Sequence, residues 1–97
     1  MSPTYERTRR VQRDLQRLTR AQRDDFKAAR RLFVDGLREG RFHPSLRVKR
    51  VQSARGVWEM SWAPDGRATF GYGSEVHPGK PHVIWRRVGT HRVLEDP

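Results

Sequence analysis

The apolar pattern of this chain changes period partway along, and that change limits the folds open to it. From 8 to 39 the apolar residues recur at helical spacing; from 46 to 94 they alternate and are interrupted by turn residues. Thr8 is placed to cap a first helix, along which Val11, Leu15 and Leu18 follow at i, i+4 and i+7. Thr19 with Gln22 three residues on is a capping-box pattern for a second helix. The stripe of that helix is Phe26, Ala29, Phe33 and Leu37, with Leu32 beside it, and Gly40 is a natural stop. A sharp turn at Thr19 makes the two helices a hairpin.

The remainder reads as strands. Tyr5-Glu6-Arg7 forms a short first strand ahead of the helices. After a loop over 41–45, Leu46 to Val51 alternates apolar and basic. Arg55-Gly56 marks a turn before a strand from Val57 to Trp62, which sets Trp58, Met60 and Trp62 on one face, under the helices. Pro64-Asp65-Gly66 is a strong turn signal. Arg67 to Tyr72 follows, with Ala68, Phe70 and Tyr72 on one face, then a Gly/Pro loop over 73–81 and a last strand from Val83 to Val88 that Gly89 ends. The expectation is one α+β domain over 1–97, with its hairpin on one face of a mainly antiparallel sheet of four to five strands. The last four strands connect as a meander, and the second sheet face is left free.

Charge bears on partners. The 21 Lys and Arg against 11 Asp and Glu leave a formal +10, and eighteen of the 21 are arginine, suited to bidentate contact with phosphate or carboxylate. A field of that size attracts a polyanion, whether nucleic acid or an acidic protein. The absence of cysteine excludes disulfides and thiolate metal sites, and the four histidines lack ligand spacing, so neither metal nor cofactor is expected. No apolar run reaches the length of a membrane span, and Met1 to Tyr5 lacks a signal-peptide core, which reads as a cytoplasmic protein.

The run His82-Val83-Ile84-Trp85-Arg86-Arg87-Val88-Gly89-Thr90-His91 carries the chemistry. It delivers a permanent cation and a titratable imidazole to one sheet edge. Arg87, on the face of Val83 and Trp85, and His91, four positions on, are close enough along the chain to share one phosphate. Phosphodiester cleavage needs such a pair: fixed charge for developing oxyanions and a proton carrier tunable near neutrality. Arg87 has a structural alternative, an ion pair with Glu59 or Asp65. Among the other histidines, His43, His77 and His82 read as loop residues.

Arg87-Val88-Gly89-Thr90-His91 resembles the closing Arg-x-Gly-Thr-His of the YafQ-like branch of the RelE/ParE superfamily of bacterial toxins. Trp62-Ala63-Pro64-Asp65 is similar to the Pro-Asp that the branch carries before a strand ending in tyrosine, here Tyr72. The resemblance implies an mRNA endoribonuclease acting in the ribosomal A site and silenced by an acidic antitoxin. It implies a metal-independent reaction in which the ribose 2′-hydroxyl attacks the adjacent phosphate. By position it makes His91 the proton carrier, Arg87 the phosphate-stabilising cation and Asp65 an acidic site residue. Lys49, Arg50, Arg67, Arg86 and Tyr72 are the further candidates for holding phosphate or base.

The chain departs from that pattern at three positions. Ser61 stands where the branch has a histidine, Gly66 where it has a tryptophan, and Glu95 where a stacking aromatic is expected. Two other readings therefore stay open: a ParE-like toxin that binds gyrase, and an RNA- or ribosome-binding protein without catalysis.

Overall fold

The computed structural model describes residues 2–97. Strand β1 (Thr4–Arg7) leads into helices α1 (Arg9–Arg17) and α2 (Arg20–Glu39). A 3₁₀ turn at Pro44–Leu46 precedes strands β2 (Lys49–Arg50), β3 (Trp58–Ser61), β4 (Gly66–Gly73) and β5 (His82–Thr90), and a second 3₁₀ helix, His91–Glu95, follows β5. The helix ends lie where capping chemistry puts them. The Thr8 hydroxyl accepts from the Val11 amide, Thr19 and Gln22 cap each other, and Gly40 takes the left-handed conformation (φ 81°) that closes α2.

The sheet order is β1-β5-β4-β3-β2. The meander β2 to β5 is antiparallel, and β1 joins outside β5 as its parallel neighbour. Phe33 of α2 meets Phe70 at 4.8 Å and Trp85 at 5.0 Å between ring centroids, and Phe26 sits edge-on to Trp85 at 5.8 Å. With Val11 of α1 and Leu18 at its C-terminal cap they form one core between the hairpin and the sheet.

Three local expectations are corrected. The strand expected over Leu46 to Val51 shrinks to Lys49–Arg50. Pro44 fixes a 3₁₀ turn, the His43 ring nitrogen caps the Ser45 amide, and Leu46 turns into the core. Gly89 does not end β5, which pairs through Gly89 and Thr90. Lacking a Cβ, Gly89 leaves room for Val93: an added Cβ would lie 2.8 Å from its Cγ1. Trp62 stays buried but leaves β3, folding over Gly66 and donating its indole N–H to the Arg67 carbonyl at 2.9 Å.

A β-bulge changes the faces of β5. Thr69 pairs with Arg87 and Phe70 with Trp85, so Arg86 is the extra residue. The alternation slips by one position there. Val88 joins Val83 and Trp85 in the core, and Arg87 goes to the opposite face beside Thr69. It therefore does not share the face of Val83 and Trp85. That opposite face is also not free: Val93 packs on Gly89, and the Thr69 hydroxyl donates to the Pro97 carbonyl at 3.1 Å.

Asp14 holds this arrangement in register. Strand β1 stops pairing at Arg7 opposite Trp85, which leaves the outer edge of β5 open beyond that point. One Asp14 oxygen, Oδ2, accepts from the Val88 amide at 3.0 Å and from Arg87 Nε at 2.8 Å. The two side chains are 7% and 18% exposed, so this is a largely desolvated ion pair that also satisfies a strand edge. Asp14→Ala should cost about 3 kcal/mol in denaturant unfolding, because a guanidinium and an amide lose their acceptor together. The double variant Asp14→Ala/Arg87→Ala should lose less than the sum of the singles; strict additivity would contradict the pairing.

Candidate functional site

The β3–β4 turn and the exit of β5 meet because Gly66 pairs with Thr90. The turn is closed by the Gly66 amide on the Ala63 carbonyl at 3.0 Å, and the His91 amide donates to the Asp65 carbonyl at 2.9 Å. With the two backbones tied, His91 Nδ1 hydrogen-bonds Asp65 Oδ1. An ionised carboxylate only accepts, so Nδ1 carries the hydrogen and Nε2 is the working nitrogen. It accepts a proton when the ring is neutral and donates one when it is charged. Both side chains are 65% exposed, so Nε2 is open to a ligand.

Arg67 belongs to the same turn. Its Nη1 donates to the carbonyls of Gly66 (2.8 Å), Pro64 (3.1 Å) and Ala63 (3.4 Å), which anchors one end of the guanidinium. Its Nε and Nη2 have no hydrogen-bond partner among the described residues. Asp65 and Arg67 thus belong to one turn shaped by Pro64 and Gly66, and the β4–β5 register brings His91 to it.

The structure does not bring Arg87 and His91 onto a common partner. Arg87 directs Nε and Nη2 at Asp14 and gives Nη1 to the Asp96 carbonyl at 2.9 Å, whereas His91 faces Asp65. Its ion-pair partner is thus Asp14, in place of the expected Glu59 or Asp65. Arg86 is exposed and donates Nε to the Pro97 carbonyl at 3.1 Å.

Lys49 and Arg50 lie on edge strand β2, away from the turn. The Arg50 guanidinium sits 5.1 Å over the Trp58 ring, and Trp58 meets half-exposed Tyr72 edge-on at 6.3 Å. His82 is a strand residue and not a loop residue, with Nδ1 at 2.7 Å from the Thr4 hydroxyl and Nε2 at 3.0 Å from Glu6. Sequence reasoning passed over Asp14, whose signal was present: it lies three residues after Val11 and four before Leu18, on the buried stripe of α1. Among the described residues, no three His, Cys, Asp or Glu side chains are grouped as metal ligands. No helix is long and apolar enough to cross a membrane.

Solved structures share this architecture. The toxin–antitoxin complex DinJ–YafQ of E. coli matches at 14% identity over 97% of this chain and 98% of that chain, with a TM-score of 0.72. YafQ from E. coli strain BL21(DE3) matches at 14% identity over 95% and 97%, with a TM-score of 0.71. The toxin–antitoxin complex RelBE2 of Mycobacterium tuberculosis matches at 21% identity over 94% and 100%, with a TM-score of 0.54. At these identities the likeness is one of fold, and the fold is RelE-like. No family model and no curated protein sequence matches the chain.

Tyr72 carries a pH signature. Burial pushes its phenol above the ordinary tyrosine range by disfavouring the charged form. The stability it contributes is complete below the ordinary tyrosine pKa and is lost as pH rises through the folded value. Tyr72→Phe should flatten the alkaline fall of unfolding free energy with pH and leave the slope near neutrality unchanged. An unaltered alkaline slope would show that the phenol titrates as an exposed one.

Proposed function

We propose that this chain is a RelE-superfamily toxin of the YafQ-like branch, a cytoplasmic endoribonuclease that cleaves mRNA on the ribosome and is neutralised by an acidic antitoxin. The observation that carries this reading is the exposed His91 imidazole, held at Nδ1 by Asp65 of the turn that also bears Arg67, at the exit of β5 in a RelE-like fold. The formal charge of +10 supports both an RNA substrate and an acidic protein partner.

In this reaction the 2′-hydroxyl oxygen forms a bond to the adjacent phosphorus as the bond to the 5′ oxygen breaks. The proton of the 2′-hydroxyl leaves to a base, and the 5′ oxygen takes one up. The products are a 2′,3′-cyclic phosphate and a 5′-hydroxyl. His91 Nε2 handles one of these two protons, and Asp65 orients the ring. Arg67 offers its open N–H groups to the phosphate oxygens as charge builds on them. The bases, single-stranded in a codon, stack or splay against the site. Neither metal nor cofactor enters this scheme, because the nucleophile is part of the substrate.

One observation favours a second reading. Arg87, the cation that the closing motif makes catalytic, is engaged by Asp14, and Ser61, Gly66 and Glu95 stand where the branch carries catalytic or stacking groups. A ParE-like toxin that binds gyrase needs none of them.

His91→Ala should lower cleavage of ribosome-bound message by about 10²–10⁴-fold, and Arg67→Ala by about 10²-fold or more, with circular dichroism unchanged. Asp65→Asn should lose less than His91→Ala. Full growth arrest by His91→Ala would sink the assignment. Inhibition of gyrase supercoiling with translation intact would install the second reading. Arg87→Ala is a poor test, because it also breaks the buried pair with Asp14.

A further inference from the structure

Two carboxylates are buried among the described residues, Asp14 and Glu59. Asp14 is answered by Arg87 and the Val88 amide. Glu59, 7% exposed in the middle of β3, makes no hydrogen bond or ion pair among the described residues. Its neighbours Trp58 and Met60 pack under the hairpin, so its side chain stands on the opposite sheet face. The register places it in a row between Lys49 of β2 and Thr69 of β4, with Arg87 beyond Thr69. None of the three answers it. Thr69 gives its hydroxyl to the Pro97 carbonyl, Arg87 turns to Asp14, and Lys49, exposed on the edge strand, forms no ion pair with it. Among the described residues no sealed side-chain oxygen lacks a partner, so both Glu59 oxygens reach solvent. The group is a carboxylate at the floor of an open recess.

Burying a charge without a partner costs stability, and a group kept in that state points to a ligand. A carboxylate only accepts hydrogen bonds, so it repels phosphate and calls for N–H donors. A cationic ligand would have to approach past Lys49 and against the field of a +10 chain. A neutral nucleobase meets neither obstacle. Guanine fits the recess best. Its Watson–Crick edge carries two adjacent donors, N1–H and the N2 amino group, one for each carboxylate oxygen. The O6 acceptor beside them suits the Lys49 ammonium. Adenine and cytosine bring one amino group and uracil one ring N–H, so each leaves a carboxylate oxygen unanswered.

We propose that Glu59, with Lys49 across from it, reads a base of the bound message and selects guanine. At about 4.8 Å per strand, Glu59 lies about 10 Å across the sheet from β5. His91 stands at the exit of β5, so the guanine belongs to a nucleotide near the cleaved linkage, and Glu59 takes no part in proton transfer. Unstacked bases read on their Watson–Crick edges are the usual source of sequence preference in single-stranded RNA. This inference rests on the reading of the chain as an mRNA endoribonuclease and adds to it the base that the site prefers.

The test is equilibrium binding of the full chain to fluorescent 2′-O-methyl oligoribonucleotides, which cannot be cleaved through the 2′ position. The strands are all uridine except for one central guanine, inosine or adenine, and the salt is high enough to suppress backbone attraction. Wild type should bind the guanine strand about tenfold more tightly than the inosine strand, which lacks only the 2-amino group. Glu59→Gln should bring that ratio to about one, because the amide has a single acceptor oxygen. Its thermal midpoint should not fall, since an unpartnered charge has no bond to lose. On ribosome-bound message, the cuts of Glu59→Gln should spread to codons without guanine. Equal binding of the three strands by wild type overturns the proposal and assigns Glu59 to a cationic side chain of a partner protein. A guanine preference that survives Glu59→Gln overturns it as well. A wild type that cuts message at the same sites as Glu59→Gln defeats this inference alone. A guanine preference lost in Glu59→Gln, in a protein that cuts nothing, upholds the base-reading recess and defeats only the nuclease reading.

Discussion

One carboxylate under an open strand edge fixes how the first helix meets β5 and where Arg87 points. Strand β1 covers β5 only as far as Trp85, and a half-covered central strand would present unpaired amides to the core margin. Asp14 meets the Val88 amide and the Arg87 guanidinium together. Its cost is the desolvation of a charge, which the guanidinium offsets only because both groups are nearly buried and fully bonded. The pair seats α1 against β5 just past the bulge.

From that constraint the arginines divide by role. Arg87 is half structural: it answers Asp14 and keeps one nitrogen for the opposite side. Arg67 is anchored on the carbonyls of the β3–β4 turn, the turn that also carries Asp65, and its Nε and Nη2 have no partner among the described residues. Arg10 and Arg86 hold the segment after the closing 3₁₀ helix. A chain with eighteen arginines thus uses sequence neighbours for different ends, and adjacency in the sequence does not predict a shared task.

The departures at Ser61, Gly66 and Glu95 have a structural counterpart. Gly66 lies against the Trp62 indole so tightly that an added Cβ would lie 2.5 Å from the ring. A large side chain at 66 is incompatible with that packing, so the ring here is supplied to the core by Trp62 and not to the site by residue 66. Gly66 instead allows a tightly closed loop that positions Asp65 and Arg67. Any chemistry at this site therefore rests on fewer groups than the resemblance implies.

Much of the architecture was legible in the residues, because local rules govern it. Thr8, the Thr19–Gln22 box and Gly40 placed the helix ends, and Pro64-Asp65-Gly66 placed the turn. Those signals act over three or four residues, where backbone capping and φ restriction dominate. The α+β class followed from two periodicities in one short chain. What only the tertiary structure decided is non-local. The parallel docking of β1 on β5, the bulge at Arg86 and the partner of Arg87 each join residues some 70 or more positions apart or depend on a strand register that no single segment encodes. His91 could be picked out from the chain, but its carboxylate partner is delivered by the pairing of β4 with β5. A register shift of one residue moves a side chain to the other face, and that is why the face of Arg87 could be read only from the folded sheet.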